Sequence, residues 1–203
     1  MSERPRTILI TGAASGIGAA TARHLARPGA ALVLHTRRSE AALDAVAAEA
    51  RAAGAAVETV LGDLGEPDVP AALVARAAAV FGGLDALVAN AGFADRTPWG
   101  ELDAAVLARS HAPIATGFLG LAAAALPLLD GARQGRIVAV SSFVAHAFRP
   151  RVPVFPASAA AKAAVEAMVK SLAVALAPRG VTVNAVCPGF IRKDAGAHAA
   201  LAA

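Results

Sequence analysis

A glycine-rich turn near the start of the chain has the residues needed to hold a phosphate group. Gly12, Gly16 and Gly18 lie between a short apolar run and an alanine-rich helical pattern. Glycines permit a tight turn and let backbone N–H groups approach a pyrophosphate, which is also attracted by the positive end of the helix dipole. An ordinary glycine turn without a ligand is the alternative. The Asn90-Ala91-Gly92 and Pro188-Gly189 segments, which follow later apolar runs, favour the phosphate site.

Two arginines stand where a dinucleotide site selects its cofactor. An NAD site places an acidic residue about 20 positions beyond the glycine turn to bind the ribose 2′-hydroxyl, whereas an arginine there accommodates a 2′-phosphate. This chain has Thr36, Arg37 and Arg38 at that place, and the nearest acid is Glu40. A guanidinium binds phosphate through paired hydrogen bonds. The sequence therefore favours NADP(H) over NAD, and over two merely solvated arginines.

The elements that must position these residues alternate along the chain. Short apolar runs predict strands over 7–10, 31–34, 57–61, 86–88, 136–140 and 181–186. Alanine-rich stretches predict helices over 16–25, 39–53, 69–81 and 158–177, with Ser39 as a candidate N-cap. A long helical region over 101–129 should be kinked by Pro113.

This pattern predicts one α/β domain over residues 1–203. Continuous rather than alternating apolar strands, separated by helices, indicate a parallel sheet covered on both faces. We expect a doubly wound, Rossmann-like fold with strand order 3-2-1-4-5-6. In such a sheet ligands bind outside the carboxyl ends of the strands. The polar and glycine residues just after each strand are therefore the candidate site.

These motifs and their order resemble the short-chain dehydrogenase/reductase family, from residue 7 to about residue 189. The family's T-G-x-x-x-G-x-G turn, its N-A-G motif and its V-N-x-V-x-P-G segment match residues 11–18, 90–92 and 183–189. The resemblance implies an oxidoreductase that binds a nicotinamide dinucleotide, with Asp63 capping the adenine pocket. The residues expected to bind the cofactor are Thr11, Gly12, Ser15, Gly16, Ile17, Gly18, Arg37, Arg38, Asp63, Leu64, Asn90, Ala91, Gly92, Lys162, Pro188 and Gly189.

The catalytic set implied by the resemblance is incomplete. In this family an asparagine, a serine, a tyrosine and a lysine carry out catalysis, and Ser142 and Lys162 match the serine and the lysine. The tyrosine should lie four residues before the lysine, where this chain has Ser158, while the usual separation from the serine points to Phe155. The chain contains no tyrosine, and Ile114 aligns with the asparagine.

The missing phenol leaves the proton donor open. An aliphatic hydroxyl at Ser158 is a far weaker acid than a phenol, and water could fill the gap that its shorter reach leaves. His146, four residues after Ser142, and His111 are alternative donors because histidine titrates near neutral pH. A surface role is the alternative for each histidine. The candidate catalytic residues are therefore Ser142, Lys162, Ser158 and His146.

Composition excludes several other classes of protein. The 16 arginines and 3 lysines are scattered, without the clustering and interleaved aromatics of a nucleic-acid site. We find no uninterrupted apolar run of about 20 residues and no secretory signal, and expect neither membrane insertion nor export. A single cysteine, Cys187, suits the cytoplasm and predicts neither an intramolecular disulfide nor a metal site.

The carboxyl-terminal part suggests incomplete covering of the sheet. The family continues through a substrate-covering segment, a helix and a seventh strand, whereas this sequence ends at Ala203. We expect residues 190–203 to supply at most the start of a lid. The sixth strand would lie at an exposed edge unless another chain covers it. We expect a homo-oligomer, a dimer or a tetramer.

Three functions are compatible with these residues. The first is an NADP(H)-dependent oxidoreductase that moves hydride between nicotinamide and a small carbonyl or alcohol. The second is a nucleotide-binding protein of the same fold with little redox activity. The third is an inactive form in which Ser158 has replaced a working tyrosine.

Overall fold

Six parallel strands form one sheet in the order β3-β2-β1-β4-β5-β6. The computed structural model describes residues 4–130, 132, 134–150 and 152–191. The predicted fold class and strand order are confirmed. The strands are β1 Arg6–Thr11, β2 Ala30–Thr36, β3 Ala56–Leu61, β4 Ala86–Ala89, β5 Arg136–Val140 and β6 Thr182–Val186. The helices are α1 Gly16–Leu25, α2 Glu40–Ala52, α3 Val69–Phe81, α4 Ala104–His111, α5 Gly117–Asp130 and α6 Pro156–Leu176.

The central strands are apolar throughout because both faces of the sheet are covered. Every residue of β2 is buried. Leu9 and Val33 face a core formed with α3, α5 and α6, whereas Ile10 and Leu34 face a core formed with α1 and α2. Alanines such as Ala22 in α1 and Ala47 in α2 are fully buried, so small side chains let the helices pack closely on the sheet.

The long helical region predicted over 101–129 is divided into several segments. A 3₁₀ turn covers Trp99–Glu101, and α4 and α5 are joined by the π-helical turn Ala112–Thr116. Pro113 lies inside this turn. Because a proline has no N–H to donate, the regular α-helical hydrogen-bond pattern is interrupted there. The expected disturbance at Pro113 therefore takes the form of a wide helical turn.

Of two expectations about helix ends, the N-cap position of Ser39 is confirmed and the start of the helix predicted over 158–177 differs. Ser39 occupies the N-cap of α2, but its side chain makes no capping hydrogen bond. Asp103, by contrast, caps α4 with its side chain, which accepts a hydrogen bond from Val106 N. Helix α6 begins at Pro156, two residues before the predicted start, because proline suits the first helical position.

The segment Ala104–Asp130 is long and apolar enough to cross a membrane by length and mean hydropathy, which reaches 1.8. The sequence analysis required an uninterrupted apolar run, and so did not identify this segment. Phe118, Leu121, Ala125 and Leu129 of α5 are buried in the core beside the sheet. These residues therefore contribute to the packing of the domain.

At one edge of the sheet, β6 pairs with β5 alone among the described strands. Most of β6 is exposed, including Val186. The expectation of an exposed sixth strand is consistent with this position. The expected lid over residues 190–203 lies largely outside the described residues.

His35, near the carboxyl end of β2, is a buried histidine with one unsatisfied nitrogen. Its Nε2 lies 2.9 Å from the Gly62 carbonyl oxygen, and its Nδ1 has no hydrogen-bond partner. Burial lowers the pKa of His35 from its usual 6.5, although the Gly62 carbonyl and the Asp63 carboxylate act in the opposite direction. The imidazole is therefore held neutral in the folded protein.

We predict that His35 makes the fold sensitive to mild acid. Its pKa is lower in the folded than in the unfolded state, so stability falls as pH drops below about 6.5, by up to about 1.4 kcal/mol per pH unit. His35→Gln keeps a side-chain donor but cannot titrate, and should flatten this dependence in urea unfolding between about pH 7.5 and about pH 5.5. His24→Gln, at an exposed position on α1, is the control. Identical pH slopes for His35→Gln and the wild type would contradict the prediction.

Candidate active site

The side chain of Asn90, the residue after β4, holds the glycine turn in place through hydrogen bonds. Asn90 Nδ2 donates to the carbonyl oxygens of Thr11 and Gly12 at 2.9 and 3.2 Å. Thr11 Oγ1 accepts from the backbone N–H groups of Asn90 and Ala91, each at 3.0 Å. The motifs after β1 and β4 therefore form one unit where the strand order reverses. The sequence analysis expected Asn90 to bind the cofactor, and did not identify its hydrogen bonds to the turn.

The first turn of α1 is suited to a phosphate group. Gly12 and Gly16 have φ values of 67° and 54°, which L side chains rarely adopt. Ser15 is the exposed N-cap and makes no side-chain capping bond, so the first amides of α1 lack that partner. A Cβ on Gly16 would meet no heavy atom within 4 Å, so space is open above the turn. These features fit the diphosphate of a dinucleotide. Ile17 is half-buried beside them.

Arg37, the first residue after β2, lies on a cleft of about 400 Å³ that Asp63 and Gly65, from the loop after β3, also line. Its Nη1 is 3.5 Å from Asp63 Oδ2, and 53% of its side chain is exposed. Asp63 Oδ1 accepts a hydrogen bond from Gly65 N, which shapes the loop after β3. Arg38 is exposed next to Arg37. The structure thus brings together Arg37 and Asp63, two of the residues expected at the adenosine end. Further residues along the cleft are Glu66, Phe93, Arg109, Ala112 and Pro113.

Helix α6 presents three polar side chains at intervals of four residues. Ser158, Lys162 and Glu166 are all buried, although they lie in an otherwise alanine-rich helix. Residues four apart lie on the same face of an α-helix, and here that face meets the end of β5 and the segment after β4. The helix therefore fixes the order of the polar groups along the edge of the sheet.

Lys162 reaches the point where β4 and β5 end. Its Nζ donates to the Val140 carbonyl oxygen at 2.5 Å, and a Cβ on Gly92 would lie 3.1 Å from it. Lys162 lines a small cavity with Thr11, Leu64 and Ala91. Burial lowers the pKa of Lys162 to about 8. The lysine is thus close to the glycine turn and can exchange a proton near neutral pH.

The Ser158 hydroxyl forms two hydrogen bonds to the protein backbone. Its Oγ accepts from Asp95 N at 2.6 Å and donates to the Phe93 carbonyl oxygen at 3.2 Å. Both partners belong to the segment after β4. This segment packs over the place where the family resemblance expects a phenol. The Ser158 proton therefore lies in a hydrogen bond to the protein backbone.

Asp95 organises that segment from a buried position. Its carboxylate accepts hydrogen bonds from Thr97 N at 2.9 Å and Ser110 Oγ at 3.3 Å, and Arg109 Nη2 lies 3.6 Å away. Hydrogen bonds from Thr97, followed by those from Ser110 and the charge of Arg109, hold the pKa of Asp95 below its usual value despite burial. The sequence analysis missed Asp95 because no motif marks it.

Ser142 and His146 lie on the loop after β5, with different surroundings. Ser142 is half-buried, and its Oγ accepts a 3.4 Å hydrogen bond from Val144 N. His146 Nε2 lies 2.9 Å from Glu166 Oε1, so the imidazole is held by α6.

His111, the other candidate donor, contacts Leu107 O in its own helix through Nδ1. Ile114, in the place of the family's asparagine, is buried and lines the small cavity beside Lys162.

Glu166 is a hydrogen-bonding centre that the sequence analysis missed. Its Oε1 accepts from the Ser141 hydroxyl, from His146 and from Cys187 Sγ at 3.4 Å. Burial raises the pKa of Glu166, but the hydrogen bonds from Ser141, His146 and Cys187 outweigh it and lower the pKa overall. Burial and Glu166 together raise the pKa of the Cys187 thiol. The position of Glu166, four residues after Lys162, was the signal that could have revealed it.

The last pair of expected residues follows β6. Pro188 O accepts a hydrogen bond from Phe143 N at 3.0 Å, which joins the segment after β6 to the loop after β5. Gly189 is exposed and has no heavy atom within 4 Å of an added Cβ. These residues therefore border the open side of the site near Ser142.

The chain is similar to known dehydrogenases along most of its length. The family of short chain dehydrogenases matches residues 6–201. The cis-4-hydroxycyclohexanecarboxylate dehydrogenase of Sinomonas cyclohexanicum is 44% identical over 186 residues, which cover 91% of this chain and 73% of that protein. The L-rhamnose 1-dehydrogenase (NAD(P)(+)) of a Sphingomonas species is 32% identical over 187 residues, 92% of this chain and 72% of that protein.

Solved structures show the same architecture. A putative short-chain alcohol dehydrogenase from Sinorhizobium meliloti superposes with a TM-score of 0.87 at 29% identity, covering 97% of this chain and 77% of that one. A dehydrogenase/reductase from the same organism gives a TM-score of 0.87 at 32% identity, covering 98% and 79%.

We predict that Gly18 and Gly16 tolerate alanine very differently. A Cβ on Gly18 would lie 2.2 Å from Gly12 O and 2.6 Å from Asn90 Nδ2, so the turn would have to move. Gly18→Ala should cost about 3 kcal/mol or more and weaken dinucleotide binding. Gly16→Ala is the matched variant, since it meets only open space and should cost about 1–2 kcal/mol through its left-handed backbone. Chemical unfolding checks the order, and a larger loss for Gly16→Ala would contradict it.

Proposed function

The chain belongs to the short chain dehydrogenase family, and from this premise we propose that it is an NADP(H)-dependent oxidoreductase that interconverts a small secondary alcohol and its ketone. Membership in this family implies a nicotinamide dinucleotide cofactor and a small alcohol or carbonyl substrate. The preference for NADP(H), the secondary alcohol and the proton route described below are specific to the proposal. The name of the 44% identical relative, a hydroxycyclohexanecarboxylate dehydrogenase, supports a secondary alcohol.

One observation carries the proposal. Lys162 Nζ, on α6, lies beside Gly92 and lines the same small cavity as Thr11, so an ionisable group adjoins the nucleotide turn. A structural lysine would be expected to place its ammonium in solvent, because burial of an unpaired charge is costly. Lys162 is instead only 8% exposed and hydrogen-bonds to the end of β5. This arrangement supports a role in binding the nicotinamide end and in transferring protons.

The NADP(H) preference rests on charge at the adenosine end of the cleft. Arg37 is half-exposed, and its contact with Asp63 is long at 3.5 Å. A guanidinium in this setting can turn toward a 2′-phosphate without breaking a short buried pair. Asp63 would then compete with the 2′-phosphate for Arg37. We therefore propose that Arg38 binds the 2′-phosphate together with Arg37.

The proposed reaction needs both a hydride and a proton. When bound, the cofactor supplies hydride to the carbonyl carbon, and the electron pair of the breaking C=O π bond moves to the oxygen. We propose that the Lys162 ammonium gives the proton to that oxygen, directly or through a water molecule, and regains one from solvent. A pKa of about 8 leaves the lysine mostly protonated at neutral pH while keeping proton loss accessible.

The alternative donors fit this role less well. Ser158 has its proton in a hydrogen bond to Phe93 O, and an aliphatic hydroxyl is a weak acid. His146 is held at Glu166, which lies one helical turn beyond Lys162 and away from Ser158. Ser142, with its single long contact to Val144 N, is proposed to hold the substrate oxygen.

We predict that Arg37 decides cofactor preference. The wild type should bind NADPH more tightly than NADH in a titration that follows cofactor fluorescence. Arg37→Ala should weaken NADPH binding by about 10- to 100-fold and NADH binding by less than about threefold, because a charge-assisted hydrogen bond contributes about 1.5–3 kcal/mol. Arg51→Ala, an exposed arginine on α2, is the control. Equal wild-type affinities for the two cofactors would contradict the NADP(H) assignment.

We predict that Lys162 sets the pH dependence of carbonyl reduction. The rate kcat/KM with 4-oxocyclohexanecarboxylate or related cyclic ketones should fall as pH rises through about 8, since the acid form is lost. Lys162→Arg keeps the positive charge but cannot release a proton near neutral pH, so the rate should fall by about 10²- to 10⁴-fold and lose this pH limb. Lys170→Arg, exposed on the same helix, is the matched control.

Two outcomes would overturn this function. An unchanged pH profile in Lys162→Arg would show that another group donates the proton. Tight NADPH binding with no reduction across a panel of ketones and aldehydes would favour a nucleotide-binding protein with little redox activity.

A further inference from the structure

Three side chains with metal-binding atoms meet at the carboxyl ends of β5 and β6. His146 comes from the loop after β5, Glu166 from α6, and Cys187 from the segment after β6. Their ligand atoms all lie within 4.8 Å of one another. The sequence gives no hint of this group, because its members are separated by 20 and 21 positions and follow no ligand motif.

The distances between these atoms suit a tetrahedral ion. Bonds of about 2.0–2.1 Å to nitrogen or oxygen and about 2.3 Å to sulfur place neighbouring ligands about 3.3–3.6 Å apart. Glu166 Oε1 lies 2.9 Å from His146 Nε2 and 3.4 Å from Cys187 Sγ, and Cys187 Sγ lies 3.7 Å from His146 Nε2. Shifts of a few tenths of an ångström would bring all three into ligand geometry.

The charge and support of the cluster also fit a divalent cation. A carboxylate and a thiolate together neutralise a 2+ ion, and imidazole, carboxylate and thiolate are all common zinc ligands. The Ser141 hydroxyl donates to the same Glu166 oxygen, so it could hold the carboxylate in place from outside the metal site. Glu166 is buried on α6, while His146 and Cys187 are exposed, which leaves a path for an ion to enter from solvent.

We propose that His146, Glu166 and Cys187 bind one Zn²⁺ ion or a similar thiophilic divalent cation. The site would revise the expectation that a single cysteine predicts no metal site. It does not depend on the oxidoreductase proposal, because none of its three ligands is assigned there to the cofactor, the substrate or proton transfer. The bound ion would link the loop after β5 to the segment after β6, the two segments that border the open side of the active site.

The proposal is tested with the full-length protein after removal of metal by a chelator. Wild type should bind one Zn²⁺ per chain in a competition titration, and Co²⁺ should give a thiolate-to-cobalt charge-transfer band. Cys187→Ser should lose that band and bind Zn²⁺ at least about 100-fold more weakly, and His146→Gln should bind at least about tenfold more weakly. His24→Gln, an exposed histidine on α1, should bind as the wild type does.

Other outcomes would overturn the site. Absence of the charge-transfer band would rule out thiolate coordination and leave the cluster as a hydrogen-bonded network around the Glu166 carboxylate. Equal zinc affinity in wild type and Cys187→Ser would show adventitious binding elsewhere. Both exposed-residue variants keep Glu166 and its bond to Ser141, and an unchanged circular dichroism spectrum and urea unfolding midpoint in the same samples verify that the fold is intact.

Discussion

The close contact between the glycine turn and β4 is the constraint on which the rest of the site depends. Gly18 approaches Gly12 so closely that a single methyl group would not fit, and Asn90 fills the remaining space with two hydrogen bonds. Because β1 lies between β2 and β4, this contact fixes the turn at the point where the sheet reverses its order. The cavity beside Lys162, which Thr11 and Ala91 line, takes its position from this contact.

Helix α6 is the second element that positions the site. Its buried polar residues hydrogen-bond to the end of β5 and to the segments that follow β4, β5 and β6. Ser158 holds the segment after β4, Lys162 reaches the end of β5, and Glu166 holds the loop after β5 and the segment after β6. The family resemblance marks one of these positions as an acid and one as a cation. In this chain Ser158 stands at the first of these positions, and its hydroxyl hydrogen-bonds to the backbone of the segment after β4.

The sequence predicts well what local rules determine. Buried apolar runs give all six strands, and the glycine, Asn-Ala-Gly and Pro-Gly motifs follow β1, β4 and β6, as the sequence predicts. The π-helical turn at Pro113 and the Asp95 network were not predictable, because they depend on how α4 and α5 pack against the segment after β4. The Glu166 cluster was missed for the same reason: His146, Glu166 and Cys187 meet only through the register of β5, β6 and α6.

The burial of Lys162 has a measurable energetic consequence that argues for function. Lowering its pKa from 10.5 to about 8 corresponds to a destabilisation of about 3 kcal/mol at neutral pH, where the lysine is charged in both the folded and unfolded states. This destabilisation is present below about pH 8 and disappears as pH rises toward the unfolded value, because the lysine is then neutral in both states. A domain is stable by only about 5–15 kcal/mol, so this cost is a substantial fraction of the total. An uncharged side chain without a donor would avoid this cost, but would leave Val140 O without its hydrogen bond from Nζ. That an ammonium stands there instead is readily explained if its proton or its charge is used on a bound ligand.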